Sequence, residues 1–324
     1  RSNGVFGTKT DGTLWSWGAS GYGYGGRNSQ LSASSPTQIP GTDWSSSDNA
    51  HINGHDFSLM TKTDGTMWSA GRNNQGQLGL NNKTDHSSPT QVGGEDGWSA
   101  VSGCYNSSMA LRTDGTLWTW GNASYGKLGQ NTSTGQSSPK QVGTDTNWSI
   151  ITGNGNFAAI KTDGTLLSWG FNREGQLGHN NGGPSGGSYA SVSSPKQVGS
   201  ETWRDVSSMR ESCFGVRTNG TLWSWGRNQY GELGLNQFWN PTNNGISSPT
   251  QVGTATTWHR VSAGTYAVYA TKTDGTFWTW GRGGQGQLGL NDATNRSSPT
   301  QLTGTWKTTG FNGGQNWAFG LKGT

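Results

Sequence analysis

Long apolar runs are missing from this chain of 324 residues, and no stretch approaches the roughly eighteen that a membrane-crossing helix needs, so no membrane insertion is expected. Charge is sparse at 12%, and the formal balance of +4 comes from 22 basic residues against 18 acidic ones. They look scattered, without the basic stripe of a nucleic-acid groove, which argues against a nucleic-acid partner. The two cysteines, Cys104 and Cys213, are too few for a disulfide scaffold or a thiolate metal cluster and are expected to be free. His51 and His55 flank Asn53-Gly54, which suggests a loop, so no metal site is expected. A phosphate-binding loop and a nucleophile elbow are both absent, so no cofactor and no enzymatic activity are expected. Helical apolar spacing is absent as well.

What the chain has is glycine and tryptophan, with 55 Gly and 18 Trp against only 28% hydrophobic residues. A buried Trp removes roughly 200 Å² from water, an upper bound near 5 kcal/mol at about 25 cal/mol per Å². A few rings can therefore replace many aliphatic side chains. Their placement is periodic. The stretch Asp114-Gly115-Thr116-Leu117-Trp118-Thr119-Trp120-Gly121 returns at Asp11, Asp64, Asp163, Asn219 and Asp274, at spacings of 49 to 56 residues. Such a period marks a solenoid, a propeller or an array.

Asp-Gly predicts a hairpin with a tight two-residue turn. The recurring acid is thus assigned to the turn (Asp11, Asp64, Asp114, Asp163, Asn219 and Asp274) and not to acid catalysis or metal ligation. The strand after the turn carries Trp118 and Trp120, two apart and on one side. Trp17, Trp120, Trp169, Trp225 and Trp280 are accordingly structural repeat residues. Before each turn lies an apolar inner strand such as Ser108 to Thr113. After each hairpin come a Gly-rich corner, a polar loop and an outer strand begun by Pro. Four short antiparallel strands per repeat predict an all-β chain, a β-propeller forming one domain over 1–324.

The run Trp169-Gly170-Phe171-Asn172-Arg173-Glu174-Gly175-Gln176-Leu177-Gly178 resembles the signature of the regulator of chromosome condensation repeat family, and the likeness extends over essentially the whole chain. The resemblance implies a propeller, usually seven-bladed. Seven inner strands against six Trp hairpins favour seven blades, or six if the termini share one. The family's functions range from nucleotide exchange on small GTPases to inhibitors and structural modules. The His that family repeats usually place before the inner strand is replaced at Phe57, Asn106, Asn156, Ser212, Ala267 and Asn316.

Function is sought where the rhythm breaks. Loops of 17 and 15 residues, against 10 in four other repeats, follow Gly178 and Gly234. They hold Tyr189 and Gln237-Phe238-Trp239-Asn240, which no repeat position requires, so these are the candidate partner-binding residues, on a loop-bearing rim. Low charge and polar, near-identical repeats suggest a non-enzymatic structural or interaction module, extracellular or virion-associated, of the tail or capsid decoration type, or a secreted adhesin or inhibitor. The alternatives are a nucleotide-exchange regulator of a small GTPase, which would need an acidic or polar patch on one face, and a glycan-binding lectin. The chain begins at Arg1 without a Met, as expected for a processed chain or a piece of a longer one.

Overall fold

A computed structural model describes residues 4–47, 50–53, 55–181, 191–238, 245–304, 306, 312–313 and 318–319. The described residues are almost all strand and turn, with one 3-10 turn at Ser124–Gly126. Two compact units, Arg1–Asn154 and Gly155–Thr324, divide the chain.

Unit 1 opens with a three-stranded sheet, Gly4–Thr8, Leu14–Gly18 and Ala33–Gln38. Two four-stranded sheets follow. The first runs His51–Asn53, Phe57–Thr61, Met67–Gly71 and His86–Gln91, and the second Trp98–Cys104, Ser107–Arg112, Leu117–Gly121 and Gln136–Gln141. Each is a meander whose neighbours in sequence pair antiparallel, so the connections stay short. In unit 2, Asn156–Lys161 and Thr165–Gly170 lead into one long strand, Val192–Ser208. Its first half pairs with the preceding strand through Gln197 opposite Leu167, and its second half with Ser212–Arg217 through Val206 opposite Gly215. One strand therefore ends one repeat and begins the next. Leu222–Arg227 and Gly245–Gln251 complete that sheet, and Trp258–Ala263, Ala267–Lys272, Phe277–Gly281 and Arg296–Leu302 form another. Of the expected last inner strand, only Ala318–Phe319 is described.

The hairpin differs from expectation by one residue. Lys9 N donates to Thr13 O at 2.9 Å and Gly12 N to Lys9 O at 3.0 Å, so three residues, Thr10 to Gly12, make the loop. Asp11 is the third residue of the turn, and Gly12 takes a φ of 80° as the left-handed residue after it. The acid then organises the start of the next strand. Asp114 Oδ1 accepts from Thr116 N and Oγ1 at 3.0 and 2.6 Å, and Thr116 Oγ1 accepts from Trp118 Nε1 at 2.8 Å. The same relay recurs through Asp11, Asp64, Asn219 and Asp274. In the fourth repeat Asp163 accepts from Thr165 N, and Leu167 stands where the others have Trp.

A further regularity lies in the charge that looked scattered. A basic residue precedes each turn acid by two positions, at Lys9, Lys62, Arg112, Lys161, Arg217 and Lys272. Lys9, Arg217 and Lys272 lie 4.1, 3.5 and 4.1 Å from the centres of Trp15, Trp223 and Trp278. These cations stack on the first Trp of the first, fifth and sixth hairpins. Part of the basic charge is therefore architectural, and its apparent scatter is no ground for excluding nucleic acid.

The second Trp of the hairpin is core. Trp120, Trp169, Trp225 and Trp280 are fully buried, whereas Trp17 is only partly so. In unit 1 one apolar cluster joins Phe57, Leu59, Met67, Leu78 and Val92 of one repeat to Trp98, Val101, Ala110 and Trp120 of the next. In unit 2 Phe214, Val216, Leu222, Leu233 and Val252 meet Trp258, Val261, Val268, Ala270 and Trp280 in the same way. The core thus lies between successive sheets, and a lone repeat could not bury it. Polar ties reinforce this packing: Asp205 Oδ2 accepts from Val261 N at 2.7 Å, and Ser207 Oγ from Ala263 N at 2.9 Å.

The structure also settles three smaller expectations. Cys104 and Cys213 are buried free thiols. His51, expected in a loop, begins a strand and sits 3.1 Å from Thr8 Oγ1. Ser107, not Asn106, stands opposite Gly121, as Phe57 stands opposite Gly71 and Ala267 opposite Gly281.

Candidate protein-binding face

The geometry of the Gly-rich corner after each hairpin follows from a few donors and acceptors. Asn73 Oδ1 accepts from Leu78 N at 2.9 Å, and its Nδ2 donates to Asn82 O at 3.1 Å, which closes the loop on itself. Gln77 Oε1 accepts from Gln75 N at 2.9 Å and staples the turn shut. The main-chain oxygen of Gln77 then accepts from Trp120 Nε1 at 2.9 Å and Ser108 Oγ at 2.7 Å, both in the next repeat. In unit 2 Gln176 Oε1 staples Glu174 N, Gln287 Oε1 staples Gln285 N, and Trp225 Nε1 reaches Gln176 O at 2.9 Å.

Three corners depart from this pattern, that of the first repeat by placing Tyr24 at the staple position. In the fifth repeat the staple is an acid: Glu232 Oε1 accepts from Gln229 N at 3.0 Å and Oε2 from Tyr230 N at 2.5 Å, while its backbone oxygen takes Trp280 Nε1 at 2.8 Å. Burial pushes the Glu232 carboxyl up to about 7, against the pull of those amide donors and of Arg227. In the third repeat the staple position holds Lys127, which cannot accept a hydrogen bond. There Tyr125 adopts a left-handed φ of 61°, within the 3-10 turn, and is 55% exposed.

The corner residues meet the start of the neighbouring inner strands. In unit 1 Arg72 Nη1 lies 3.3 Å from Asp56 Oδ2, and its guanidinium lies 4.9 Å from the centre of the Tyr22 ring. His55 Nδ1 is 3.1 Å from the same carboxylate. The His55 ring stacks on Tyr105 at 5.6 Å, and Lys127 Nζ also lies 5.6 Å from the centre of the Tyr105 ring. In unit 2 Arg227 pairs with Glu211 and also feels Glu174 and Glu232. Arg173 and Arg210 flank this group at 3.5 and 3.8 Å from Glu174 and Glu211. Burial, and then the nearby Glu211 charge, raise the Glu174 carboxyl. Tyr230, Tyr266 and Arg282 continue the face, with the guanidinium 5.3 and 5.8 Å from the two rings.

The loop residues singled out in the sequence are only partly placed. Gln237 is exposed, and its carbonyl accepts from Asn228 Nδ2 at 2.9 Å, the role Asn82 and Asn181 carbonyls play for Asn73 and Asn172. It therefore belongs to the repeat. Phe238 is 51% exposed. Tyr189, Trp239 and Asn240 lie outside the described residues. The turn acids are each engaged by a Thr two residues on, and their hydrogen bonds hold Asp11, Asp64, Asp114, Asp163 and Asp274 below the usual carboxylate range. The corner substitutions Lys127 and Glu232 were visible in the aligned repeats as single departures from Gln, but insertions were the louder signal and drew the search for function to themselves.

A family model described as the regulator of chromosome condensation (RCC1) repeat matches residues 64–111, 114–154, 163–211, 219–270 and 274–317. The chain belongs to the RCC1 repeat family. The matches begin at Asp64, Asp114, Asp163, Asn219 and Asp274, which places the family boundary at the same hairpin that sets the period here. The ultraviolet-B receptor UVR8 of Arabidopsis thaliana is 36% identical over 93 residues, 29% of this chain and 20% of that protein. The regulator of chromosome condensation of Xenopus laevis is 32% identical over 104 residues, 32% of this chain and 24% of that protein. The aligned segments thus span about a quarter or less of these relatives. The crystal structure of Prp20p from Saccharomyces cerevisiae, described with its binding to Gsp1p and histones, superposes with a TM-score of 0.81 at 20% identity, covering 100% of this chain and 81% of that one. The fold is an all-β propeller of repeats of the RCC1 type.

These relatives overturn the expectation of an extracellular or virion structural protein, a decoration, adhesin or secreted inhibitor. Proteins named for chromosome condensation, for light reception, and for binding Gsp1p and histones are not of that kind. The misreading came from composition: few charges and many Gly, Asn, Ser and Thr reflect the demands of tight turns and Trp stacking in each repeat, and carry no information about compartment. Binding to proteins is a property of relatives in the family, whereas nothing supports a glycan ligand.

Proposed function

We propose that this chain regulates nucleotide exchange on a small GTPase by binding it through the corner face of unit 2. The observation that carries this reading is the cluster of Glu174, Glu211 and Arg227, a fixed polar patch of carboxylates held by guanidinium groups. A small GTPase holds its nucleotide through a backbone cradle, a Lys on the phosphates and a magnesium ion. A preorganised carboxylate offered at that Lys competes with the phosphates, and Arg227 keeps Glu211 oriented for it. Exchange of this sort makes and breaks no covalent bond. It therefore calls for neither a nucleophile nor a metal centre in the protein that promotes it. Family membership supports a protein partner for such a face.

The test is release of a fluorescent GDP from a panel of purified small GTPases. The expected result is acceleration of about tenfold or more for one of them, reduced by Glu211→Gln to near the spontaneous rate. No acceleration and no binding across the panel would overturn the proposal.

A further inference from the structure

Among the described residues, nine non-glycine side chains sit at positive φ, and seven of them are Asn or Asp, which tolerate that conformation. The remaining two are Tyr105, at 47°, and Tyr125, at 61°. Both belong to the third repeat, and Lys127 lies beside both, over one ring and two residues along the chain from the other. Backbone strain of this sort persists where surrounding contacts enforce it, and it gathers at binding sites.

Tyr105 and Lys127 end a continuous strip across three repeats of unit 1, and Tyr125 lies two residues before Lys127 in the chain. Its order is Tyr22, Arg72, Asp56, His55, Tyr105 and Lys127, each in contact with the next. The His55 side chain is half exposed and Tyr125 more than half, so the strip faces solvent. Its charges are Arg72 and Lys127 against Asp56, a positive balance. The strip supplies N–H and O–H donors together with ring faces. Asp56 engages both Arg72 and His55 Nδ1, Tyr22 lies against the Arg72 guanidinium, and Lys127 lies over the Tyr105 ring at the other end.

We propose that this strip is a docking site for an acidic, carboxylate-bearing segment of a protein partner. Lys127 and His55 meet the carboxylates, and the Tyr105 and Tyr125 rings take the aliphatic stems. A phosphate polyanion is the poorer match, because it calls for several clustered basic residues and the strip offers only one lysine outside the Arg72 pair. The site lies in unit 1 and stands independently of the exchange reading.

The experiment is a fluorescence-anisotropy titration of the whole chain with a labelled ten-residue peptide of alternating Glu and Gly. Binding is expected to weaken about tenfold in Tyr125→Ala and in Lys127→Gln, the second of which installs the staple residue of neighbouring repeats and keeps the fold. A peptide of alternating Lys and Gly should not bind. Equal affinity in wild type and both variants would overturn the proposal, and so would tighter binding of polyuridylate than of the acidic peptide. GDP release is not read in this titration, so its outcome is separate from that of the exchange assay.

Discussion

The corner of the third repeat and the corners of the second, fourth, fifth and sixth are built from one template and end in different states. Where the staple residue accepts a hydrogen bond, as Gln77, Gln176, Glu232 and Gln287 do, the turn closes on its own amide. Where it is Lys127, no acceptor is available and Tyr125 turns outward in a left-handed conformation. The two glycines of the motif cannot account for the difference, because both states have them. The missing acceptor does not act alone: the first repeat has Tyr24 at that position and keeps Tyr22 out of the left-handed region, whereas the third also has Ala123 in place of the Asn of the second, fourth and fifth corners. The repeat therefore stays constant while a few corner positions within it vary the surface, a division that lets a rigid scaffold carry function.

The largest test of this comparison addresses how corners seat their neighbours. At Gly231, with φ 80°, an added Cβ would lie 2.7 Å from Ser297 Cα in the next repeat, whereas at Gly286, with φ 72°, it meets open space. Gly231→Ala should cost about 3 kcal/mol, from left-handed strain plus a backbone clash, and Gly286→Ala about 1 kcal/mol from strain alone. Urea unfolding of both variants measures the gap, and equal losses would mean that corners do not set the spacing between repeats.

The second test separates the acid staple from the amide staples. Glu232 has an ordinary carboxyl value of 4.5 and is pushed up to about 7 in the folded chain. Between those values the folded state holds a proton that the unfolded state has lost, so stability falls as pH rises from about 4.5 to 7 and is level above. The span corresponds to at most about 3 kcal/mol. Glu232→Gln removes that slope but also forfeits the bond from Tyr230 N, worth about 1 kcal/mol. The variant should therefore be the less stable chain at about pH 4 and the more stable one at about pH 8. Thermal unfolding at the two pH values would show the crossing, and parallel curves would mean that Glu232 is not buried as described.

How far the sequence carried these conclusions depends on which residue is considered. Asp114 and Gly115 were legible as a turn because few residues favour that geometry, and Trp120 as core because nothing else in so polar a chain could supply one. Thr116 was not, although it links Asp114 to Trp118, because threonine is common here and its hydroxyl role depends on a hydrogen bond that pattern alone does not reveal. Lys9, Arg112 and Lys272 looked like scattered charge until Trp stacking gave them a common phase. For the site, insertions were the visible asymmetry, and they drew attention to Gln237, whose carbonyl proves to be a repeat contact. A one-residue change such as Gln to Lys alters no length and no hydropathy pattern. Its effect on Tyr125 is conformational, and conformation is what composition cannot report.

The smallest effect tests the central contrast directly. Lys127→Gln restores an acceptor within reach of the amide of Tyr125, the arrangement seen for Gln75 with Gln77 and for Glu174 with Gln176. Releasing one left-handed tyrosine and gaining one turn bond should stabilise the chain by about 1 kcal/mol, a rise in Tm of about 2–4 °C. The cation over Tyr105 is lost in the same step, which offsets part of the gain. A Tm that rises while the acidic peptide is lost would mean that the third corner gives up stability for its surface. A Tm that falls would mean that Lys127 holds the corner together through contacts a glutamine cannot make, and the distinction between corners that close and corners that present would fail.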